Sequence, residues 1–202
     1  GSGVSNIPES EIYGIELEMT ALIGDRFSLD VKLASMESEV SADYLALDNR
    51  LLIEDVFLAD GVTPAKEEIH GANRDVARFL QNLSGNELAK TPSLTADISL
   101  GFEDQLKDGA YIGASLQYTF RGEFEQRVFN NPEVDTVDSY DLINLSVSYD
   151  NSDEVWGVDL IAYNMLDEDG INSAMTDVFG VNETGFQYVA PRQLIARFRY
   201  NF

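Results

Sequence analysis

The chain has 202 residues, no cysteine and a formal net charge of −23, with 36 Asp and Glu against 13 Lys and Arg. Its 44% hydrophobic and 24% charged content suits a folded domain rather than a disordered one, the missing cysteine excludes disulfides, zinc–thiolate centres and thiol catalysis, and the acidic surplus argues against a nucleic-acid partner. No uninterrupted apolar run approaches the ~20 residues of a membrane helix, but that exclusion does not reach a β-barrel, whose strands show lipid only every second residue.

The opening segment, "GSGVSNIPESE", has neither a basic region nor an apolar run of the kind that forms a secretory signal. Strict alternation starts just after it. Tyr13, Ile15, Leu17 and Met19 oppose Gly14, Glu16, Glu18 and Thr20; beyond "IGDR", Phe27, Leu29, Val31 and Leu33 oppose Ser28, Asp30, Lys32 and Ala34. Successive strand side chains point to opposite faces, so this pattern predicts a hairpin with one apolar face. A long link follows, over roughly residues 37–92. Within it, Val76, Phe79, Leu80 and Leu83 recur at helical spacing behind a cap at Asn73, which predicts a short helix packed on the link or a lid over a ligand. The single histidine, His70, reads as a solvated link residue, and no serine or carboxylate stands at a spacing that would make it part of a catalytic triad.

A second hairpin runs through Leu94, Ala96, Ile98, Leu100 and Phe102, turns at "LKDG", and returns through Ile112, Ala114, Leu116, Tyr118 and Phe120. After a link at 122–139, a third joins Ile143, Leu145, Val147 and Tyr149 through "DNSDE" to Trp156, Val158, Leu160 and Ala162. The last link, 165–190, contains the acidic segments "LDEDG" and "TDVFGVNETG". Asp167, Glu168 and Asp169 lack the spacing of a calcium loop and read as solvated carboxylates. The final ten residues, "QLIARFRYNF", put Leu194, Ala196, Phe198, Tyr200 and Phe202 on one face and Gln193, Arg197, Arg199 and Asn201 on the other.

Seven strands of about ten residues each have the length that crosses an outer membrane at a tilt of roughly 45°. Short turns and long links segregate to opposite ends, as the periplasmic turns and extracellular loops of membrane barrels do. On the apolar face, Phe27, Phe102, Tyr149, Trp156, Tyr200 and Phe202 lie near the short-turn end, and Tyr13, Tyr118 and Phe120 near the other. These two groups are expected to form aromatic girdles at the two bilayer interfaces. The opposite face carries Glu16, Glu18, Asp30, Lys32, Asp97, Gln117, Arg121, Asp159, Arg197 and Arg199, a mixture suited to a wet or protein-filled lumen in which the charges pair with one another. The expected fold is therefore an all-β, antiparallel transmembrane β-barrel. A soluble β-sandwich with the same alternation is the competing architecture. Because single-chain bacterial barrels have an even number of strands, seven suggests the C-terminal part of a larger barrel, with residues 1–11 in an outer loop.

The segments "SEIYGIELEMTALIGDRFSLDVKLA", "TPSLTADISLGF", "YDLINLSVSYDNSDEVWGVDLIAYNMLDEDG" and "APRQLIARFRYNF" resemble the C-terminal barrel strands of TonB-dependent outer-membrane receptors. The resemblance rests on Gly14 and Glu16, Asn144 and Leu145, Trp156, Asn164 with Asp167, Pro191 with Arg192, and Phe202, and it does not extend to the 37–92 link. It implies a 22-stranded barrel across residues 1–202 and beyond, closed by a separate N-terminal plug that couples to the TonB energy complex. It also implies that Phe198, Tyr200 and Phe202 form the signal read by the barrel-assembly machinery. The implied partners are the lipid bilayer, the TonB complex, the assembly machinery and a small-molecule ligand; no cofactor, metal site or enzymatic activity is expected. The implied function is energised uptake of a scarce ligand such as a ferric siderophore, cobalamin or a glycan. A passive porin-like channel and a soluble acidic binding module are the alternatives.

Overall fold

A computed structural model of the chain describes residues 6–48, 80–176 and 184–202. Among these residues every regular element is a strand. Seven long strands form one antiparallel sheet: β1 (Glu11–Ile23), β2 (Phe27–Glu39), β5 (Leu94–Gln105), β6 (Tyr111–Arg121), β9 (Tyr140–Asp150), β10 (Trp156–Tyr163) and β13 (Gln193–Tyr200), hydrogen-bonded in that order. Three small hairpins lie between them: β3 (Leu45–Leu47) with β4 (Leu80–Asn82), β7 (Phe124–Glu125) with β8 (Thr136–Val137), and β11 (Ile171–Thr176) with β12 (Thr184–Tyr188). All seven long strands expected from the alternation are present.

The register explains why the pattern yields a two-faced sheet. One cross-strand row runs from Ala21 through Leu29, Leu100, Leu116, Leu145 and Ala162 to Leu194 and crosses all seven strands without a polar side chain. One position along, on the opposite face, the row Thr20, Asp30, Ser99, Gln117 and Asn144 is polar throughout. A slip of one residue in β5, β6 or β9 would put glycine or polar side chains into the apolar row, so burial of that row by any apolar medium fixes the register.

Tight turns close one end. Ile23 pairs directly with Phe27 across a three-residue connection. In the next turn Leu106 N–H donates to the Ala110 carbonyl (2.7 Å) and Gly109 sits at φ 90°, a conformation a side chain would strain. In the third, Asn151 Oδ1 accepts from Trp156 N–H (2.8 Å). At the opposite end each long link carries one of the small hairpins.

Most of the buried apolar side chains lie away from the middle of the sheet. Val40, Leu83, Phe124 and Val137 are almost fully enclosed, and all four belong to the long-link end. In the middle of the apolar face Leu116 is 43% exposed and Leu160 55%. No second sheet or helix of the described residues covers them.

Three details depart from the sequence-based expectations. The helical reading of 73–83 fails where it can be seen: Leu80 belongs to β4, paired with Leu47, and Leu83 is buried just beyond it. Asn82 secures this strand geometry, its Oδ1 accepting from Tyr44 N–H and Ser84 N–H and its Nδ2 donating to Asp43. Asn73, Val76 and Phe79 lie outside the described residues, as does His70. Second, the described parts of the links carry the short hairpins β3–β4, β7–β8 and β11–β12, which the alternation did not predict. Third, the last ladder pair is Trp156 with Tyr200, so the strand ends before Phe202, although Asn201 stays tied to Val155 and Glu154.

Candidate functional site

The apolar face and the aromatic residues on it form the first functional surface. Pairing places Tyr13, Phe27, Phe102, Tyr118, Phe120, Tyr149, Trp156, Phe198 and Tyr200 on the same side as the leucine row. At the short-turn end the rings touch. Phe27 lies 5.0 Å from Phe102, Tyr149 5.3 Å from Trp156, Trp156 6.4 Å from Phe198, and Tyr200 5.2 Å from Phe202. Such offset or tilted pairs form because the edge of one ring is electropositive and the face of the next electronegative. Tyr13, Tyr118 and Phe120 occupy the far end of the same face.

The polar face is internally matched where opposite charges meet. Arg199 bonds Asp159 (3.1 Å) and Asp150 (3.0 Å), and Arg197 approaches Asp159 at 4.0 Å. Asp97 accepts from Gln117 (2.8 Å) and Thr119 (3.0 Å), Gln117 in turn accepts from Asn144 (3.2 Å), and Thr20 donates to Asp30 (2.7 Å). Of the charges expected on a lumen face, Asp159, Arg197 and Arg199 thus pair with one another, while Asp30 and Asp97 are held by neutral side chains. Near the long-link end this face forms an open concavity of about 420 Å³ walled by Glu16, Glu18, Lys32, Asp97, Thr119 and Arg121.

Among the described residues, the largest fully enclosed side chains lie at the long-link end. The Arg127 guanidinium grips Asp135 through two nitrogens and bonds Asp48 at 2.9 Å, and both carboxylates are fully enclosed. These bonds hold its positive charge more firmly than in an exposed arginine. Neighbouring Gln126 is buried and donates to Thr176 (3.0 Å) and to the Val134 carbonyl (2.7 Å). Arg121 reaches the Asn172 carbonyl at 3.0 Å and lies 4.1 Å over the Phe124 ring. Asn86 and Glu87 bond Val128 and Asn130.

A second clasp closes the base of the third link. Asn164, 4% exposed and at φ 46°, donates through Nδ2 to the carbonyls of Glu168 and Ala190 (both 2.9 Å) and accepts Glu168 N–H on Oδ1. Its own N–H donates to Asn144 Oδ1 (2.9 Å). Asp167 accepts Arg192 N–H at 2.9 Å and faces its guanidinium at 3.6 Å. The Asn164–Asp167 and Pro191–Arg192 motif elements are therefore two halves of one joint, and Asp167 is committed to it. No comparable motif marks Gln126 or Arg127, whose partners in the other links lie 50 and 79 residues away.

Glu125, in β7, accepts from Thr136 (2.9 Å) through one oxygen, while the other is buried without a partner. Burial, and to a lesser extent Asp135, Glu87 and Glu123, pushes its carboxyl above the usual glutamate range. The sign follows from linkage: its contribution favours the folded link below the ordinary glutamate pKa and is lost as pH rises through the higher native value. Glu125→Gln is therefore expected to slow hydrogen exchange in β7–β8 at neutral pH and to leave it unchanged in acid. Faster exchange at pH 7 would contradict this.

An antiparallel meander with one unbroken apolar face, one polar face, tight turns at one end and folded links at the other is a stretch of wall from a transmembrane β-barrel. The chain belongs to the family described as TonB dependent receptor-like, beta-barrel, whose model matches residues 1–165 and so includes the 37–92 link. Among solved structures it is similar to the ferric yersiniabactin uptake receptor FyuA of Yersinia pestis, at 14% identity and a TM-score of 0.64 over 96% of this chain. It is also similar to BauA, the ferric preacinetobactin receptor of Acinetobacter baumannii, at 12% identity and a TM-score of 0.58 over 94%. It spans 24% and 22% of the length of those two receptors. No curated protein shows significant sequence similarity to it.

Proposed function

We infer that this chain is part of the barrel of an outer-membrane receptor that takes up a scarce ligand, a ferric siderophore or similar metal chelate, with energy from the TonB complex. The family match over residues 1–165 carries the reading, and the two similar receptors, both named for ferric ligands, favour an iron chelate.

The physical chemistry agrees. In β1 the apolar face runs from Tyr13 to Ile23 with only Ile15, Leu17, Met19 and Ala21 between them. Ten residues of strand extend about 34 Å, or about 25 Å along the membrane normal at a tilt near 45°, which is the height of the apolar band in barrels of this class. In this reading Phe27, Phe102, Tyr149 and Trp156 sit at the periplasmic interface, and Tyr13, Tyr118 and Phe120 at the outer one. The polar face lines a lumen filled by a plug domain in a barrel of 22 strands, and the long links face outward, where ligand arrives. Phe198, Tyr200 and Phe202 serve the assembly machinery as its recognition strand. Replacing Phe202 by Asn should then lower the yield of folded receptor far more than Asn201→Ala; equal yields would count against that role.

The functional test is uptake of radiolabelled ferric chelates by iron-starved cells with and without the gene for the full-length protein, before and after collapse of the proton gradient. The reading requires accumulation that depends on both the gene and the gradient. Gene-dependent entry that persists without the gradient would make the barrel a passive channel, and no gene dependence for any chelate would remove the iron assignment.

A further inference from the structure

Two consecutive residues of the middle link reach into both of the other long links. Arg127 joins the middle link to the first through Asp48, and Gln126 joins it to the third through Thr176. Both junctions are dry: Asp48 and Asp135 are fully enclosed, Gln126 is 6% exposed and Thr176 7%. Phe124 and Val137 on the middle link, and Val40 and Leu83 on the first, are almost fully enclosed at the same end of the sheet.

A guanidinium that bonds two enclosed carboxylates cannot be withdrawn from one link without leaving charge stranded in the other. A buried carboxamide that bonds one link's hydroxyl and its own link's carbonyl is bound by the same constraint. Because Gln126 and Arg127 are adjacent on one backbone, displacing either moves the other.

We propose that the Gln126–Arg127 pair is a clasp that makes the described parts of the three long links, with their hairpins β3–β4, β7–β8 and β11–β12, a single cooperative body, so that whatever orders or displaces one of them acts on all three. Among the described residues the middle link bonds both neighbours, the first through Asp48 next to β3–β4 and the third through Thr176 at the end of β11. The links are then not independent lids. This concerns the mechanics of the link cluster and stands apart from the identity of any transported ligand.

The test uses the full-length protein in lipid and reads hydrogen exchange in each hairpin for Gln126→Ala and Arg127→Lys, with exchange in β5 and β6 confirming that the barrel is intact. Arg127→Lys keeps the charge but loses the two-nitrogen grip on Asp135, so it assembles more readily than Arg127→Ala. Coupling predicts that each variant speeds exchange in the hairpin it does not touch. Gln126→Ala should do so in β3–β4 and Arg127→Lys in β11–β12, on the order of tenfold, the change produced by about 1.4 kcal/mol. If each variant affects only its own bonded neighbour, the links are independent and the clasp is refuted. The same outcome from a disulfide engineered across positions 126 and 176, leaving β3–β4 exchange unaltered, would refute it a second way.

Discussion

Leu160→Arg is expected to destabilise the inserted sheet by about 2–4 kcal/mol, the cost of an arginine near the midplane on the lipid side of a barrel strand. Leu160 stands between Val147 and Ala196 in its cross-strand row, is 55% exposed, and has no layer of described residues over it. In water an exposed arginine would cost next to nothing. The size of the penalty therefore reports the medium. Ile161, one residue along and paired with Ser146 and Ile195 on the other face, is the internal control. Ile161→Arg should cost clearly less, because its side chain points into the polar side. Denaturant titration of folding into lipid vesicles measures both; equal penalties, or none for Leu160, would remove the face assignment.

The second large effect is expected at Asn164. Asn164→Ala strips two backbone carbonyls and one backbone N–H of their partner at a position that is almost fully enclosed, and it forces a Cβ-only side chain to hold φ 46°. Each buried group left unsatisfied costs about 1–3 kcal/mol, partly recovered where water enters, and the left-handed backbone adds about 1 kcal/mol. A net loss of about 2–4 kcal/mol in local stability follows. It should appear as faster exchange in β11–β12 with the main sheet unchanged. Asn164→Gly separates the two terms, since it keeps the backbone conformation and loses only the bonds. If alanine and glycine behave alike, the backbone term is negligible; if neither has an effect, Asn164 is not the joint of the third link.

The seven long strands were legible because the same residue pairs satisfy two demands at once. Leu100 and Leu116, for example, must share a face both by alternation within their strands and by the length of the "LKDG" turn. Local pattern and register agree wherever a turn is short. The link cluster was not legible for the converse reason. Arg127 and Asp48 are 79 residues apart, and neither lies in a periodic segment, so nothing local announces that they meet. Leu80 and Leu83 misled because two apolar residues three apart fit a helix and also fit a short strand ending on a buried side chain. The Asn164 joint was half legible: its residues were visible as motif elements, but their bonding to Ala190 and Arg192 depends on the closure of the link.

The measurement that bears most directly on the whole account is the accessibility of spin labels placed singly along β6 in the membrane-inserted protein, at positions 114, 116 and 118 and at 113, 115 and 117. With no native cysteine in this chain, each label has one attachment point within it. Oxygen, which partitions into hydrocarbon, should relax the labels at 114, 116 and 118 strongly and a water-soluble nickel chelate should not, with the order reversed at 113, 115 and 117. Labels at 116 and 118 that respond to the nickel chelate and not to oxygen would show that the leucine row faces water or protein, and the membrane assignment would fall with it.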